Sequence, residues 1–99
     1  MVELKRRPRS KSVRKTARRW FVYILRCRDG SLYTGITTDV VARLATHNTG
    51  HGAKYTRSRR PARLVWSSRA LTESGARKRE WAIKSTDKNL KELMVKTQN

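Results

Sequence analysis

The chain has 99 residues, and its 25 lysines and arginines outnumber its 7 aspartates and glutamates, for a formal net charge of +18 at pH 7. A chain of this length can bury one small core, so a single domain is expected. The charge exceeds what solubility requires and indicates a polyanionic partner, above all nucleic acid. The sequence lacks both the ~20-residue apolar run of a membrane span and a cysteine partner for Cys27.

Residues 1–19 are predicted to form a disordered basic arm. They contain nine basic residues and one acid, and too few apolar residues to offset the entropy of ordering. We expect the arm to add phosphate contacts and to steepen the salt dependence of binding. A solvated tail or a localisation signal is the alternative. Residues 20–99 keep 16 basic and 6 acidic residues, a net charge of +10, and form the predicted domain.

The domain is predicted to begin with a β-hairpin. Residues 20–27 are rich in aromatic and β-branched types and are followed by Asp29 and Gly30, a pair typical of a tight hairpin turn. A second strand is expected over residues 32–37. It contains Gly35, which inside a strand indicates a bulge or a close approach of another group to the backbone.

A helix of about two and a half turns is predicted next. Thr38 and Asp39 are both good N-cap residues, apolar residues follow at helical spacing, and Gly50 ends the pattern. On this helix Arg43 and His47 are four residues apart, which places them on the same face.

Residues 50–60 are predicted to form a long loop that contacts nucleic acid. Its basic residues suit phosphate neutralisation, and its aromatic residue suits base stacking. The alternative is an exposed polar loop without a ligand. The predicted binding residues are Lys54, Tyr55, Arg57, Arg59 and Arg60.

The remaining sequence predicts a third strand over residues 62–67, a helix from the N-cap Thr72 to about Lys84, and a short terminal helix from Asp87. The predicted fold is therefore α/β, of the α+β type, with a three-stranded antiparallel sheet flanked by helices. The apolar stripe of the terminal helix is expected to consist of Leu90, Leu93 and Met94. The three tryptophans are assigned to the core or its edge: Trp20, Trp66 and Trp81.

Glu80 lies among apolar positions of the predicted helix, between Ala76 and Ile83. A carboxylate removed from water needs a cation or a metal to compensate its charge. An ion pair with Arg43 or Arg69 and a metal site are the two explanations.

Two short motifs and the helix after them resemble the GIY-YIG endonuclease superfamily. The features that carry the resemblance are Phe21-Val22-Tyr23, Tyr33-Thr34-Gly35, Arg43, His47 and the later Glu80. The first motif is degenerate, with Phe21 and Val22 in place of Gly and Ile, and Thr34 replaces the second Ile. The resemblance covers roughly residues 20–85 and is strongest to small standalone members, which have a similar loop over residues 50–56.

This resemblance implies a metal-dependent endonuclease that hydrolyses phosphodiester bonds in DNA, including structured or branched DNA in repair or recombination. Glu80 is expected to hold one Mg²⁺ or Mn²⁺ ion, and Arg43 to bind the phosphate. Tyr23 is expected to position the water or the phosphate. Either Tyr33 or His47 acts as the general base, and the sequence leaves both open.

The alternative function is a non-catalytic module that binds DNA or RNA on the same fold, and a structural RNA-binding protein of the ribosome is a third. All of them predict nucleic acid as the partner, DNA first and RNA second. We further expect a cytoplasmic monomer that has no membrane contact.

Overall fold

The computed structural model of the protein describes residues 18–98, so the predicted arm lies outside the described residues except for Arg18 and Arg19. Seven elements follow in chain order: β1 Phe21–Arg26, β2 Leu32–Thr37, α1 Val40–Asn48, α2 Lys54–Arg57, β3 Arg63–Ser67, α3 Glu73–Lys84 and α4 Lys88–Gln98. The strands form one antiparallel sheet in the order β2-β1-β3. The predicted α+β fold is therefore confirmed.

The hairpin between β1 and β2 closes through the predicted turn. Gly30 has a φ angle of +86°, a conformation that glycine adopts without steric cost. The Asp29 carboxylate accepts hydrogen bonds from the backbone nitrogen and hydroxyl of Ser31, at 3.0 and 2.6 Å. In the resulting register Tyr23 pairs with Gly35, and Leu25 pairs with Tyr33. Because these pairs are two residues apart, Tyr23 and Tyr33 share one face of the sheet.

β1 is the central strand and is buried on both faces, which explains its continuous apolar sequence. On one face Val22 and Ile24 pack with Trp66 of β3 and with α3 and α4, through Ala76, Ile83 and Val95. On the opposite face Tyr23 and Leu25 pack with Ala62 and with partly buried residues of β2 and α1. The side chains of that second face form the candidate site.

The helices begin where the sequence places their caps. Asp39 accepts a hydrogen bond from the backbone nitrogen of Ala42 at 3.0 Å, and Thr72 accepts one from that of Gly75 at 3.0 Å. A bidentate ion pair between Arg26 and Glu92, with both contacts at 2.7 Å, ties the end of β1 to α4. No helix within residues 18–98 is long and apolar enough to cross a membrane.

Three local predictions were wrong. Residues 50–60 contain the helical turn α2, so they are not one continuous loop. Trp81 is 71% exposed, because it precedes Ile83 by two residues, or about 200° around the helix axis, and therefore points away from the core. The core contacts of α4 are made by Met94 and Val95, whereas the expected stripe residues Leu90 and Leu93 are each 53% exposed.

Candidate active site

The Tyr23 ring crosses the backbone of Gly35, its partner on β2. A Cβ atom at residue 35 would lie 2.5 Å from the Tyr23 hydroxyl oxygen and 2.7 Å from Cζ, closer than such atoms can approach. The predicted close approach at Gly35 is therefore made by Tyr23. The bulge in the sheet lies elsewhere, between Ile24 and Leu25 in the pairing with β3.

The Tyr23 hydroxyl lies between two side chains of α1. The Nε2 atom of His47 lies 2.9 Å from it, and the Nε–H group of Arg43 donates to it at 3.4 Å. The one-turn spacing of Arg43 and His47 on α1 brings both of them to the same hydroxyl. Tyr23 is 2% exposed and His47 is fully buried, so the contact is shielded from solvent.

The other ring nitrogen of His47 contacts Thr56 of α2. Nδ1 lies 2.7 Å from the Thr56 hydroxyl, which itself donates to the Ala53 carbonyl oxygen at 3.0 Å. Because the hydroxyl has one hydrogen, this assignment makes Nδ1–H the donor to Thr56. Nε2 then carries no hydrogen and accepts from the Tyr23 hydroxyl. Sequence reasoning missed Thr56, although the resemblance of residues 50–56 to those of small GIY-YIG members pointed to this segment.

Gly52 closes the site behind His47. A Cβ atom at residue 52 would lie 2.8 Å from Cα and from Cγ of His47 and would overlap Nδ1. Only glycine therefore allows the chain to pass so close to the imidazole while Thr56 follows four residues later. Gly52 is a second positioning residue that sequence reasoning missed, and a glycine two residues after the helix-ending Gly50 was the available signal.

Burial sets the protonation states of the pair. Burial raises the pKa of Tyr23 above 10.0, and the hydrogen bond from Arg43 opposes that rise. Burial also lowers the pKa of His47 below 6.5, with the Arg43 charge adding to the decrease. At neutral pH the site therefore contains a neutral phenol that donates to a neutral imidazole.

Tyr33 joins the pair through its ring. Its centroid lies 5.2 Å from that of His47 and 6.4 Å from that of Tyr23. On its other side it stacks on Tyr55, with centroids 6.1 Å apart and an interplanar angle of 21°. The structure thus brings together Tyr23, Tyr33, Arg43 and His47, four of the predicted catalytic residues.

The fifth residue, Glu80, approaches from α3. Burial is the main cause of the raised pKa of Tyr23, and the negative charge of Glu80 adds a smaller increase. Its ion-pair partner is Lys84, at 3.1 Å, with the Glu80 side chain 22% exposed. The predicted partners Arg43 and Arg69 were wrong, because one helical turn brings Lys84 closer.

Glu80 fits a metal site in which the protein supplies a single carboxylate. Residues 18–98 contain no group of three or more His, Cys, Asp or Glu side chains that could hold an ion. A closed protein cage is therefore not built in this part of the chain. Mg²⁺ is commonly bound by one or two carboxylates together with water and substrate phosphate, and one partly exposed carboxylate beside the tyrosines meets that requirement.

The five predicted binding residues of the 50–60 segment differ in their surroundings. Arg59 donates to Asp29 at 3.0 Å and covers the Tyr55 ring at 3.9 Å from its centroid. Arg60 donates to the Arg57 carbonyl oxygen at 2.9 Å. These two arginines therefore hold the segment in place. Lys54 and Arg57 are exposed, and with Tyr55, Ser58 and Arg59 they line a shallow depression of about 600 Å³.

A family model described as the GIY-YIG catalytic domain matches residues 19–93. The match spans the sheet, α1, α2 and α3 and includes every predicted catalytic residue. The chain belongs to the GIY-YIG catalytic domain family, as its sequence predicted. A domain of this family indicates a nuclease, with nucleic acid as its partner. The replaced motif positions Val22 and Thr34 are 0% and 4% exposed, so they serve packing.

Similar proteins occur in several bacteria. The UPF0213 protein of Desulfotalea psychrophila is 51% identical over 78 residues, which cover 78% of this chain and 71% of the relative. That of Staphylococcus haemolyticus is 51% identical over 75 residues, or 76% and 92% of the two chains.

Two solution NMR structures have the same fold. The UPF0213 protein of Bacillus halodurans has a TM-score of 0.52 at 45% identity, and a protein of E. faecalis has 0.55 at 43% identity. Each match covers 80% of this chain and 84% of the other.

Proposed function

We propose that the protein is an endonuclease that hydrolyses phosphodiester bonds in DNA with one divalent metal ion. The observation that carries this proposal is the Tyr23 hydroxyl, which lies 2.9 Å from His47 Nε2 and 3.4 Å from Arg43 Nε. A phenol between a neutral base and a permanent cation is suited to handling a proton beside a phosphate.

The proton path runs from the attacking water through Tyr23 to His47. His47 is fully buried, whereas Tyr23 keeps 2% of its surface exposed, so we infer that the tyrosine links His47 to a substrate water. As the water oxygen forms its bond to phosphorus, its proton passes to the Tyr23 oxygen, and the Tyr23 proton passes to Nε2. The sequence left Tyr33 and His47 open as the general base, and this geometry favours His47. Tyr23 then transfers the proton between the water and His47.

Two features of the site support this path. The lowered pKa of His47 keeps its imidazole unprotonated at neutral pH and ready to accept. The Thr56 hydroxyl, 2.7 Å from Nδ1, fixes the tautomer in which Nε2 is the acceptor. The imidazolium that forms is buried, and the negative charge that develops on the phosphate compensates it.

Arg43 binds the phosphate. Among its contacts with residues 18–98, the Nε–H group is the donor to Tyr23. Its two Nη groups can then donate to the non-bridging oxygens as charge builds on them.

Glu80 would hold the metal ion, Mg²⁺ or Mn²⁺, together with water and phosphate oxygens. When bound, the ion supplies Lewis-acid stabilisation of the leaving oxygen. Lys84 contacts one oxygen of the Glu80 carboxylate at 3.1 Å, so a bound ion would share this carboxylate with Lys84 or compete with it.

The test is a cleavage assay on branched, single-stranded and duplex DNA with Mg²⁺, Mn²⁺ or a chelator. Wild type is compared with Glu80→Ala and with Glu73→Ala. Glu73 is the matched control, because it also forms an i,i+4 pair on α3, with Arg77 at 2.8 Å. The proposal predicts metal-dependent cutting that Glu80→Ala abolishes and Glu73→Ala retains. Equal activity of the two variants would remove Glu80 from the reaction.

A non-catalytic nucleic-acid-binding module is the second candidate. The Glu80–Lys84 pair favours it, because a carboxylate whose charge is already compensated needs no metal. This function predicts tight binding of DNA or RNA without cutting under any of the metal conditions, and Glu80→Ala would then alter stability rather than a reaction rate.

A further inference from the structure

A second concave surface begins on the far side of the Tyr33 ring. It is a cleft of about 250 Å³ between β2, α2, α3 and α4. Residues from four elements line it: Leu32, Tyr33, Thr34, Tyr55, Lys84 and Lys91. We call it the Lys91 cleft.

One wall of the Lys91 cleft is aromatic and the other is cationic. Tyr33 and Tyr55 are nearly parallel, with an interplanar angle of 21°, and Tyr55 is 39% exposed. Lys84 and Lys91 supply two ammonium groups, and no carboxylate belongs to the lining. Aromatic rings beside lysines are the chemistry that binds a base together with its phosphate.

Lys91 is unusual among the lysines of residues 18–98. It is half-buried, whereas the other five are exposed. Within these residues it forms no ion pair, although Lys84 and Lys88 do. The Lys91 ammonium group is therefore available to a phosphate in the cleft, which would supply its counter-charge.

The Lys91 cleft is continuous with the candidate active site. Its Tyr33 ring lies 5.2 Å from the His47 ring, and its Lys84 contacts Glu80 at 3.1 Å. A strand whose phosphate lies at Tyr23 and Glu80 therefore places a neighbouring nucleotide in the cleft.

We propose that the Lys91 cleft is the subsite for the nucleotide next to the scissile phosphate, with Lys91 on its phosphate and the Tyr33–Tyr55 pair beside its base, since Arg59 already covers the Tyr55 ring. Lys84, which also lines the cleft, supplies a second ammonium group to that phosphate. The cleft volume of about 250 Å³ is on the scale of one nucleotide, and a tyrosine pair contacts a base most readily when that base is unpaired, so the substrate class we infer is nucleic acid that is unpaired beside the cut. This inference rests on the proposed function, which places the scissile phosphate at Tyr23 and Glu80. Binding of a strand to the cleft can nevertheless be measured without cleavage.

The experiment measures binding of a fluorescein-labelled oligonucleotide of eight thymidines, and of a blunt duplex, to the full chain in chelator. The variants are Lys91→Ala and Lys96→Ala, which remove the same charge from the same helix. Lys96 is exposed and lies outside the cleft. We expect Lys91→Ala to weaken single-strand binding by about 3–10-fold and to make the salt dependence shallower by about 0.7 in log–log slope. Duplex binding should change equally little in both variants.

Tyr55→Ala is an independent variant and should weaken single-strand binding at least ~5-fold, because it removes one of the two aromatic rings that line the cleft. Equal losses in Lys91→Ala and Lys96→Ala, or equal losses for single strand and duplex, would overturn the subsite. A chain that cleaves DNA but shows equal losses remains a nuclease without this subsite. A chain that never cleaves but shows the Lys91-specific loss keeps the subsite as a binding site.

Discussion

Tyr23 and Gly35 are cross-strand partners, and the tyrosine hydroxyl occupies the space that any side chain at residue 35 would need. The missing Cβ atom would lie 2.5 Å from that oxygen. This single contact gives a physical reason for a tyrosine in the first motif and a glycine in the second, because the glycine lets the phenol reach across β2 toward α1.

Gly35→Ala is therefore expected to displace Tyr23 from His47. Overpacking of a buried contact typically costs about 1–3 kcal/mol, and we expect that loss of unfolding free energy in urea together with at least a ~10-fold loss of cleavage. Gly75→Ala, in the first turn of α3, is the control, because its Cβ would meet the Thr72 hydroxyl at 3.1 Å and no residue of the site. Equal behaviour of the two variants would show that the Tyr23 ring adjusts without consequence.

The stability of the protein should depend on pH through His47. Its pKa in the folded protein is lowered by burial, so the unfolded chain binds more protons near the ordinary value of about 6.5. The stabilising contribution is complete above that value and is lost as the pH falls through the lower pKa of the folded state. Urea unfolding at pH 7.5 and pH 5.5 measures it. His47→Gln should flatten this dependence, and His51→Gln, which changes an exposed histidine, should not.

The two faces of the sheet could be predicted from the sequence because alternation along β1 and β2 fixes which side chains share a face. The position of Arg43 and His47 on one face of α1 could also be predicted from the sequence, since residues four apart are about one helical turn apart. The contact between Thr56 and His47 was not, because it depends on how residues 50–56 fold back over α1. No local sequence pattern specifies how these residues fold back onto the helix. Lys91 was missed for the same reason, because its significance depends on a cleft formed by four elements.

Trp66 and Trp81 differ in burial, and this difference can be tested by substitution. Trp66 is 8% exposed and packs in the main cluster, whereas Trp81 is 71% exposed. Trp66→Ala should cost about 3–5 kcal/mol of unfolding free energy. Trp81→Ala should change it by no more than about 0.5 kcal/mol. Urea unfolding measures both, and a large loss for Trp81→Ala would mean that its ring is covered in solution.

The proposed mechanism requires the Tyr23 hydroxyl to transfer the proton of the attacking water to His47. The most direct test is single-turnover cleavage by Tyr23→Phe and Tyr33→Phe, with folding of each variant checked by urea unfolding. Each variant removes one hydroxyl and keeps its ring, so the Tyr33 contact with Tyr55 is preserved. We predict that Tyr23→Phe lowers the cleavage rate at least ~100-fold and that Tyr33→Phe lowers it less than ~10-fold. A larger loss in Tyr33→Phe than in Tyr23→Phe would rule out the proton relay through Tyr23 and make Tyr33 the general base.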